Sequence, residues 1–232
     1  MPELGGMSWY STAEYYQVIN EQVQQRLGGH HSADLLVHSL DFAAIRQCRI
    51  DGDWDRAGKI LAASAQGLVA AGAQLLVLAT NLMHRSAQPI EDAARDAAGW
   101  ARFLHIADAV AHRAAALGAQ RVGLLGTSPV MEDGFYQERL ARAGITALVP
   151  AAATRRRLDE IIFGELTVGT ARPESQAQLA AAAHQLADSG AQAVVLACTE
   201  LELAVTDSDS PVPLIPTART HALRAVDLAL AA

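Results

Sequence analysis

Cysteine and lysine are the scarcest chemistry-bearing residues in this chain of 232 residues: Cys48 and Cys198 are its two thiols and Lys59 is its one lysine. Two cysteines are too few for a disulfide scaffold or for a zinc cluster of thiolates alone; they are a disulfide, a thiol pair or two unrelated residues. Lys59 falls in a segment of helical period, an unpromising place for a Schiff-base amine. The eight histidines include no HExxH and no pair at helical spacing, so no metal is expected. Positive charge is short as well. With a formal net charge of -7 and a pI near 5.6, the chain has no general attraction for nucleic acid or anionic lipid. Its one basic run, the three arginines at 155–157, reads as a solvated helix start. No apolar run reaches the roughly 18 uncharged residues of a membrane span, and MPELGGMSWY has neither the basic region nor the apolar core of a signal peptide. A cytoplasmic protein with no membrane partner is expected. GxGxxG and P-loop patterns are missing too, and no cofactor is expected.

Alanine and aliphatic side chains are what the chain has in plenty. Hydrophobic residues make up 51% and mean hydropathy is +0.13, enough to bury a sizeable core. Short apolar runs closed by turn residues alternate with longer segments of helical period. Helices are expected over 13–27, with Ser11 or Thr12 as N-cap, then over 54–71, most of 90–117, 133–143, 158–166, 174–189 and 220–231. Strands are expected over 35–39, 75–79, 121–125, 146–149, 193–197 and 213–215. Strands this short and apolar, separated by helices, describe parallel sheets covered on both faces, an α/β fold.

The chain also repeats itself. GAQLLVLATN at 72–81 returns as GAQAVVLACTE at 190–200, and LLGTS at 124–128 resembles LGGMS at 4–8. Gly6 stands 74 positions before Thr80, and Gly126 stands 72 before Cys198. A duplicated α/β half follows, with domains expected at 1–103 plus 208–232 and at 104–207. Ligands of parallel sheets bind beyond the carboxyl ends of the strands, where both Thr80 and Cys198 fall. Halves facing each other about a pseudo-twofold axis would set these two residues on opposite sides of one ligand. That suits a proton leaving one face of a carbon and returning on the other.

Gly5-Gly6-Met7-Ser8-Trp9, Ser11-Thr12-Ala13-Glu14-Tyr15-Tyr16, Ala79-Thr80-Asn81-Leu82-Met83-His84, Phe135-Tyr136-Gln137-Glu138-Arg139-Leu140 and Cys198-Thr199-Glu200-Leu201 resemble the aspartate/glutamate racemase family, in order and over nearly the whole chain. The resemblance implies two pseudo-symmetric parallel-sheet α/β domains with the active site in the cleft between them, assembled as a homodimer. It also implies racemisation of aspartate and/or glutamate without pyridoxal phosphate, normally by two cysteines on opposite faces of Cα. Cys198 matches one of them. Thr80 stands where two-cysteine members have the other, so Cys198 is expected as thiol/thiolate acid-base and Thr80 as its partner, whereas Cys48 matches no role.

Without an electron sink, fixed donors must hold the substrate α-carboxylate and the charge that develops on it. Met7, Ser8, Ser11, Thr12, Gln47, Asn81, Leu82, Thr127, Thr199 and Glu200 form the candidate substrate-binding set. Arg46, Gln47 and Arg49 are the local candidates for a distal carboxylate. Glu200 or a histidine would tune Cys198. Several departures from the family pattern carry expectations of their own. Tyr10 replaces the usual Glu, and only residues 1–4 precede GGMSW, which implies a short first strand. Pro216-Thr217-Ala218 replaces Asp-Thr-Thr, which would leave His221 unoriented, and His84 reads as a core or supporting residue. Two other readings stay open: a single-cysteine decarboxylase of disubstituted malonates, and a non-catalytic amino-acid-binding protein.

Overall fold

A computed structural model describes residues 2–4, 9–96 and 101–231. It divides the chain into two units, Met1–Ile106 with His221–Ala232, and Ala107–Thr220. In the first, four short strands, β1 (Pro2–Leu4), β2 (Leu36–Val37), β3 (Leu75–Leu78) and β4 (Arg102–Leu104), form a parallel sheet in the order β2-β1-β3-β4. The β3 sequence LLVL is buried at every position, as a strand covered on both faces requires. Helix α1 (Trp9–Leu27) turns Ser11, Tyr15, Val18, Ile19 and Val23 inward, the i, i+4, i+7, i+8 face of a 3.6-residue period. Helix α2 (Phe42–Asp51) starts where the Asp41 carboxylate accepts the Ala43 amide and stops at Gly52, whose φ of 68° terminates it. It carries Cys48 into a core shared with Leu61 of α3 (Trp54–Ala70) and Ile90 of α4 (Ala87–Asp96).

In the second unit β5 (Arg121–Gly126), β6 (Thr146–Leu148), β7 (Ala193–Ala197) and β8 (Leu214–Pro216) form a parallel sheet in the order β6-β5-β7-β8. Replacing β1 to β4 by β5 to β8 turns one strand order into the other, so the textual repeat is a repeat of topology. Helices α6 (Ser128–Glu132), α7 (Phe135–Arg142), α8 (Ala152–Gly164) and α9 (Pro173–Asp188) complete this unit. The two remaining helices change units. After its first residue, α5 (Ile106–Ala116), which follows β4, belongs to the second unit, and α10 (Thr217–Leu230), which follows β8, belongs to the first from His221 onward.

Several sequence expectations need correction. The segment 90–117 is mostly helical but is not one helix, because β4 stands between α4 and α5; three residues at a sheet edge, one of them the exposed Arg102, are too few to show an alternating pattern. Helix α1 already includes Trp9, so Ser11 and Thr12 lie inside it and neither is its cap. Helix α2 was not anticipated. The return to the first unit falls at His221 rather than near 208, because β8 hydrogen-bonds to β7. The three arginines lie within α8, not at its start, where Arg155 pairs with Glu132 at 2.8 Å and Arg157 with Glu160 at 3.0 Å. Among the described residues no helix is long and apolar enough to cross a membrane.

Candidate active site

Strands β5 and β7 run side by side to their carboxyl ends, where Gly126 pairs with Ala197. A Cβ at Gly126 would lie 2.9 Å from the Ala197 carbonyl oxygen, so only glycine permits this approach. Thr127 and Cys198 therefore leave the sheet from adjacent strands. Cys198 is still extended, and the chain then enters a 3-10 turn, Thr199–Leu203, closed by the Leu201 amide donating to the Cys198 carbonyl at 3.1 Å. The turn folds Glu200 back onto the thiol. Cys198 Sγ donates to Glu200 Oε2 at 3.0 Å, and Thr199 Oγ1 donates to the same oxygen at 2.7 Å.

The thiol is nearly buried, with 9% of its residue surface exposed. Burial pushes its pKa well above the ordinary thiol range; the Glu200 charge and the hydrogen bond to it push the same way, as does Glu202, against a smaller opposing effect of the Glu200 backbone. Cys198 therefore rests as a proton-bearing thiol with a carboxylate on its proton. Glu202 Oε1 accepts the Ala218 amide at 2.8 Å, and Thr217 Oγ1 donates to the Leu196 carbonyl at 2.8 Å, which ties the first turn of α10 to β7. Thr127 Oγ1 is buried and has no protein partner, although Thr127 sits at the N-cap position of α6. The Tyr136 hydroxyl is likewise buried without a partner, and desolvation followed by the Glu202 charge drives its pKa far up.

The first unit builds the same sequence of parts. Beyond β3 come Ala79 and Thr80, then a 3-10 turn, Leu82–Ser86. The Thr80 amide donates to the Leu78 carbonyl at 2.8 Å, and its carbonyl accepts from His84 Nδ1 at 2.6 Å. Asn81 is buried, and Leu82 and the Thr80 side chain are half-buried. His84 Nε2 accepts the Ile106 amide at 3.1 Å. His221 is fully oriented: its Nε2 donates to the Leu104 carbonyl at 2.9 Å, and its Nδ1 takes the Tyr15 hydroxyl at 2.8 Å. The expected loss of orientation is thus corrected, because Tyr15 and a strand carbonyl do the work an Asp would do. The His84 ring lies edge-on to His105, with centroids 4.4 Å apart.

The structure therefore joins Cys198, Thr199 and Glu200 by direct bonds and sets Thr127 at the end of the strand beside β7. Thr80, Asn81 and Leu82 occupy the matching turn of the other unit. Ser11 is buried on the inner face of α1, and Thr12 is half-buried one residue on. Gln47 is exposed and committed to its own helix, donating to Asp51 at 2.7 Å; Arg46 is exposed and Arg49 half-buried on the same helix. Met7 and Ser8 lie outside the described residues. Cys48 is a core thiol. No group of three or more His, Cys, Asp or Glu among the described residues could hold a metal ion. Sequence reasoning gave no role to Tyr136 or Glu202. Both lie within motifs that carried the family resemblance or directly beside them, but burial of the hydroxyl and capping of a distant helix leave no mark on the sequence.

Two like α/β units, each closing its third strand on a thiol or hydroxyl followed by a 3-10 turn, define a duplicated fold with one proton-bearing group per unit. A family model described as Asp/Glu/hydantoin racemase matches residues 4–225, and the chain belongs to that family. A candidate Asp/Glu racemase from Yersinia pestis is 39% identical, with 99% of this chain and 98% of that one covered at a TM-score of 0.92. An aspartate racemase homologue from Pyrococcus horikoshii OT3 is 29% identical over 99% and 98%, TM-score 0.84. The aspartate racemase of Picrophilus torridus shares the fold at 16% identity over 99% and 93%, TM-score 0.75.

Proposed function

We propose that the protein racemises an acidic amino acid, aspartate and/or glutamate, without pyridoxal phosphate, with Cys198 and Thr80 exchanging the Cα proton on opposite faces. The observation that carries this reading is the Cys198 thiol held on the Glu200 carboxylate at 3.0 Å beyond the end of β7, with Thr80 at the equivalent place beyond β3. Support for an acidic substrate comes from the 39% identical candidate Asp/Glu racemase and the 29% identical aspartate racemase homologue.

In one direction Sγ takes the Cα proton while its own proton passes to Glu200 Oε2, so no free thiolate has to persist in a buried, negatively charged place. The carbanion is then protonated on its other face from the Thr80 hydroxyl, and the proton is replaced through water. In the other direction the steps reverse, and the Cys198 thiol delivers. Thr127, with its buried and unmatched hydroxyl, is the donor best suited to the substrate carboxylate. The resting thiol also suits one-sided protonation after loss of carbon dioxide, which keeps a malonate decarboxylase as the second reading.

The test is Cα-hydrogen exchange. The protein, free of pyridoxal phosphate, is incubated in heavy water with each enantiomer of aspartate and glutamate, and deuterium and chirality are followed together. Deuterium with inversion is the expected result. Exchange with retention alone removes Thr80 from the mechanism; no exchange with any of the four, with carbon dioxide released from a disubstituted malonate, replaces the racemase by the decarboxylase.

A further inference from the structure

We propose that His84 is a positioning residue that sets the attitude of Thr80 for proton transfer, an inference that rests on the reading of Thr80 as the partner of Cys198. Thr80 lies past the last ladder pair of β3, and among the described residues neither its amide nor its carbonyl has a strand partner. The Leu78 carbonyl takes the amide. His84 takes the rest: Nδ1 donates to the Thr80 carbonyl at 2.6 Å, and the His84 amide donates to the Asn81 carbonyl at 3.2 Å. Two consecutive carbonyls are thus gripped by one residue, and the peptide that fixes the Thr80 side-chain direction cannot rotate without breaking a partly buried bond.

The ring itself is anchored from the far side. Nε2 accepts the Ile106 amide, one of the first-turn donors that α5 cannot satisfy internally. A carbonyl can only accept and an amide can only donate, so the two bonds together require the neutral ring with its proton on Nδ1. Gaining a second proton would set Nε2–H against the Ile106 N–H. His84 is therefore a strut and not a proton carrier in this arrangement. Stacking on Phe103, at 5.5 Å and 25°, and 2% exposure leave the ring little freedom.

The duplicated unit supports the same reading. Four residues after Thr80 comes His84, and four residues after Cys198 comes Glu202. Each accepts a backbone amide from the first turn of the helix that follows its sheet's last strand, Ile106 of α5 and Ala218 of α10. The strut is common to both units. Histidine, with a nitrogen on either side of its ring, braces the helix and holds the Thr80 carbonyl at once; in the second unit the Cys198 carbonyl is held instead by the Leu201 amide.

Two half-isosteres separate the two bonds. His84→Asn keeps a donor near Nδ1 and loses the acceptor for Ile106, whereas His84→Gln keeps an acceptor near Nε2 and loses the grip on Thr80. The readout is the ratio of inversion to retention in deuterium exchange, which a general loss of folded protein does not change. His84→Gln is expected to lower that ratio by about 10²-fold, the scale of a misplacement of about 1 Å at a reacting group. His84→Asn is expected to leave the ratio within about threefold of wild type while lowering Tm, because the proton donor keeps its place and only the helix brace is lost. A folded His84→Gln with the wild-type ratio, or a folded His84→Asn without it, overturns the proposal; if the Gln variant does not fold, the Asn variant decides alone. Thr80→Val run alongside distinguishes the two levels. If it too keeps the wild-type ratio, the Thr80 reading itself has failed; if it loses inversion while His84→Gln does not, only the His84 inference has.

Discussion

Replacing Glu200 by Gln should make the Cys198 thiol more reactive and the enzyme slower. Gln preserves shape and an acceptor for the Thr199 and Cys198 protons but removes the negative charge. Of the causes that raise the thiol pKa, burial remains, and the Glu200 charge, second in size, disappears. The pKa must then fall while staying above the ordinary thiol value, so a larger thiolate fraction exists at a given alkaline pH. Alkylation by iodoacetamide near pH 8.5, about the ordinary thiol pKa, should accelerate. Turnover should move the other way, because the amide cannot accept the thiol proton as Sγ takes the one from Cα. Loss of a general base typically costs about 10²–10⁴-fold. With the thiol partly pre-ionised, the lower end applies, about 10²-fold in kcat, or about 2.7 kcal/mol of barrier. Stopped alkylation and polarimetric racemisation on the same samples check both signs. An unchanged kcat would refute the role of Glu200 as proton acceptor. Slower alkylation together with slower turnover would show that Glu200 merely holds the thiol in place.

The other expectations are more compact. Cys198→Ala should abolish exchange, whereas Thr80→Cys should keep inversion and bring the kcat values of the two enantiomers closer together, read by polarimetry from each side. Because the folded pKa of Cys198 is raised, its contribution to stability is complete below the unfolded thiol value of about 8.5 and declines as pH rises above it. Urea denaturation across alkaline pH should show that decline and its loss in Cys198→Ser. Tyr136→Phe removes a buried hydroxyl without a partner, so stability at neutral pH should hold or rise by about 1 kcal/mol; a fall greater than this in a urea titration would mean the hydroxyl is bonded in solution. Gly126→Ala should cost about 1–3 kcal/mol, measured by the same titration, because the new Cβ presses on the Ala197 carbonyl next to Cys198.

What the sequence could tell follows the physics of each element. Strand β7 spans the residues its apolar run marked, because a central strand is buried on both faces and every position is constrained. The repeat was legible for the same reason, since both copies are central strands preceded by Gly-Ala-Gln. Strand β4 was not legible: it is a three-residue edge strand lying between helical segments. Helix α2 begins with Phe42 exposed and buries only Ile45 and Cys48, too sparse a pattern to announce itself. Of the candidate site residues, Cys198 and Thr80 were marked by their position after the repeated strand, but the Glu200 bond to the thiol depends on an extended Cys198 followed at once by a 3-10 turn, a backbone change without a composition signal. His221 looked unsupported because its partners, Tyr15 and the Leu104 carbonyl, are separated from it by 206 and 117 residues.

The two halves of the repeat have diverged in a coordinated way. Around Cys198 stand two carboxylates, Glu200 on the thiol and Glu202 at the start of α10. Around Thr80 the corresponding strut is a neutral imidazole, and no acid touches the hydroxyl among the described residues. A thiol that must surrender its proton needs an acceptor at hand, whereas a hydroxyl that chiefly delivers one would be hindered by it, since a neighbouring anion holds the proton back. On the proposed mechanism the divergence of charge matches a divergence of chemistry, with abstraction the easier task for Cys198 and delivery for Thr80. Equilibrium restricts how this can appear. Interconversion of enantiomers in solution requires equal kcat/KM in both directions, so the favoured direction must combine a higher kcat with a proportionally higher KM. Full progress curves from each pure enantiomer test this. Equal kcat and equal KM from both sides would mean that the two halves work as equals, and that the different surroundings of the thiol and the hydroxyl have no consequence for the rate.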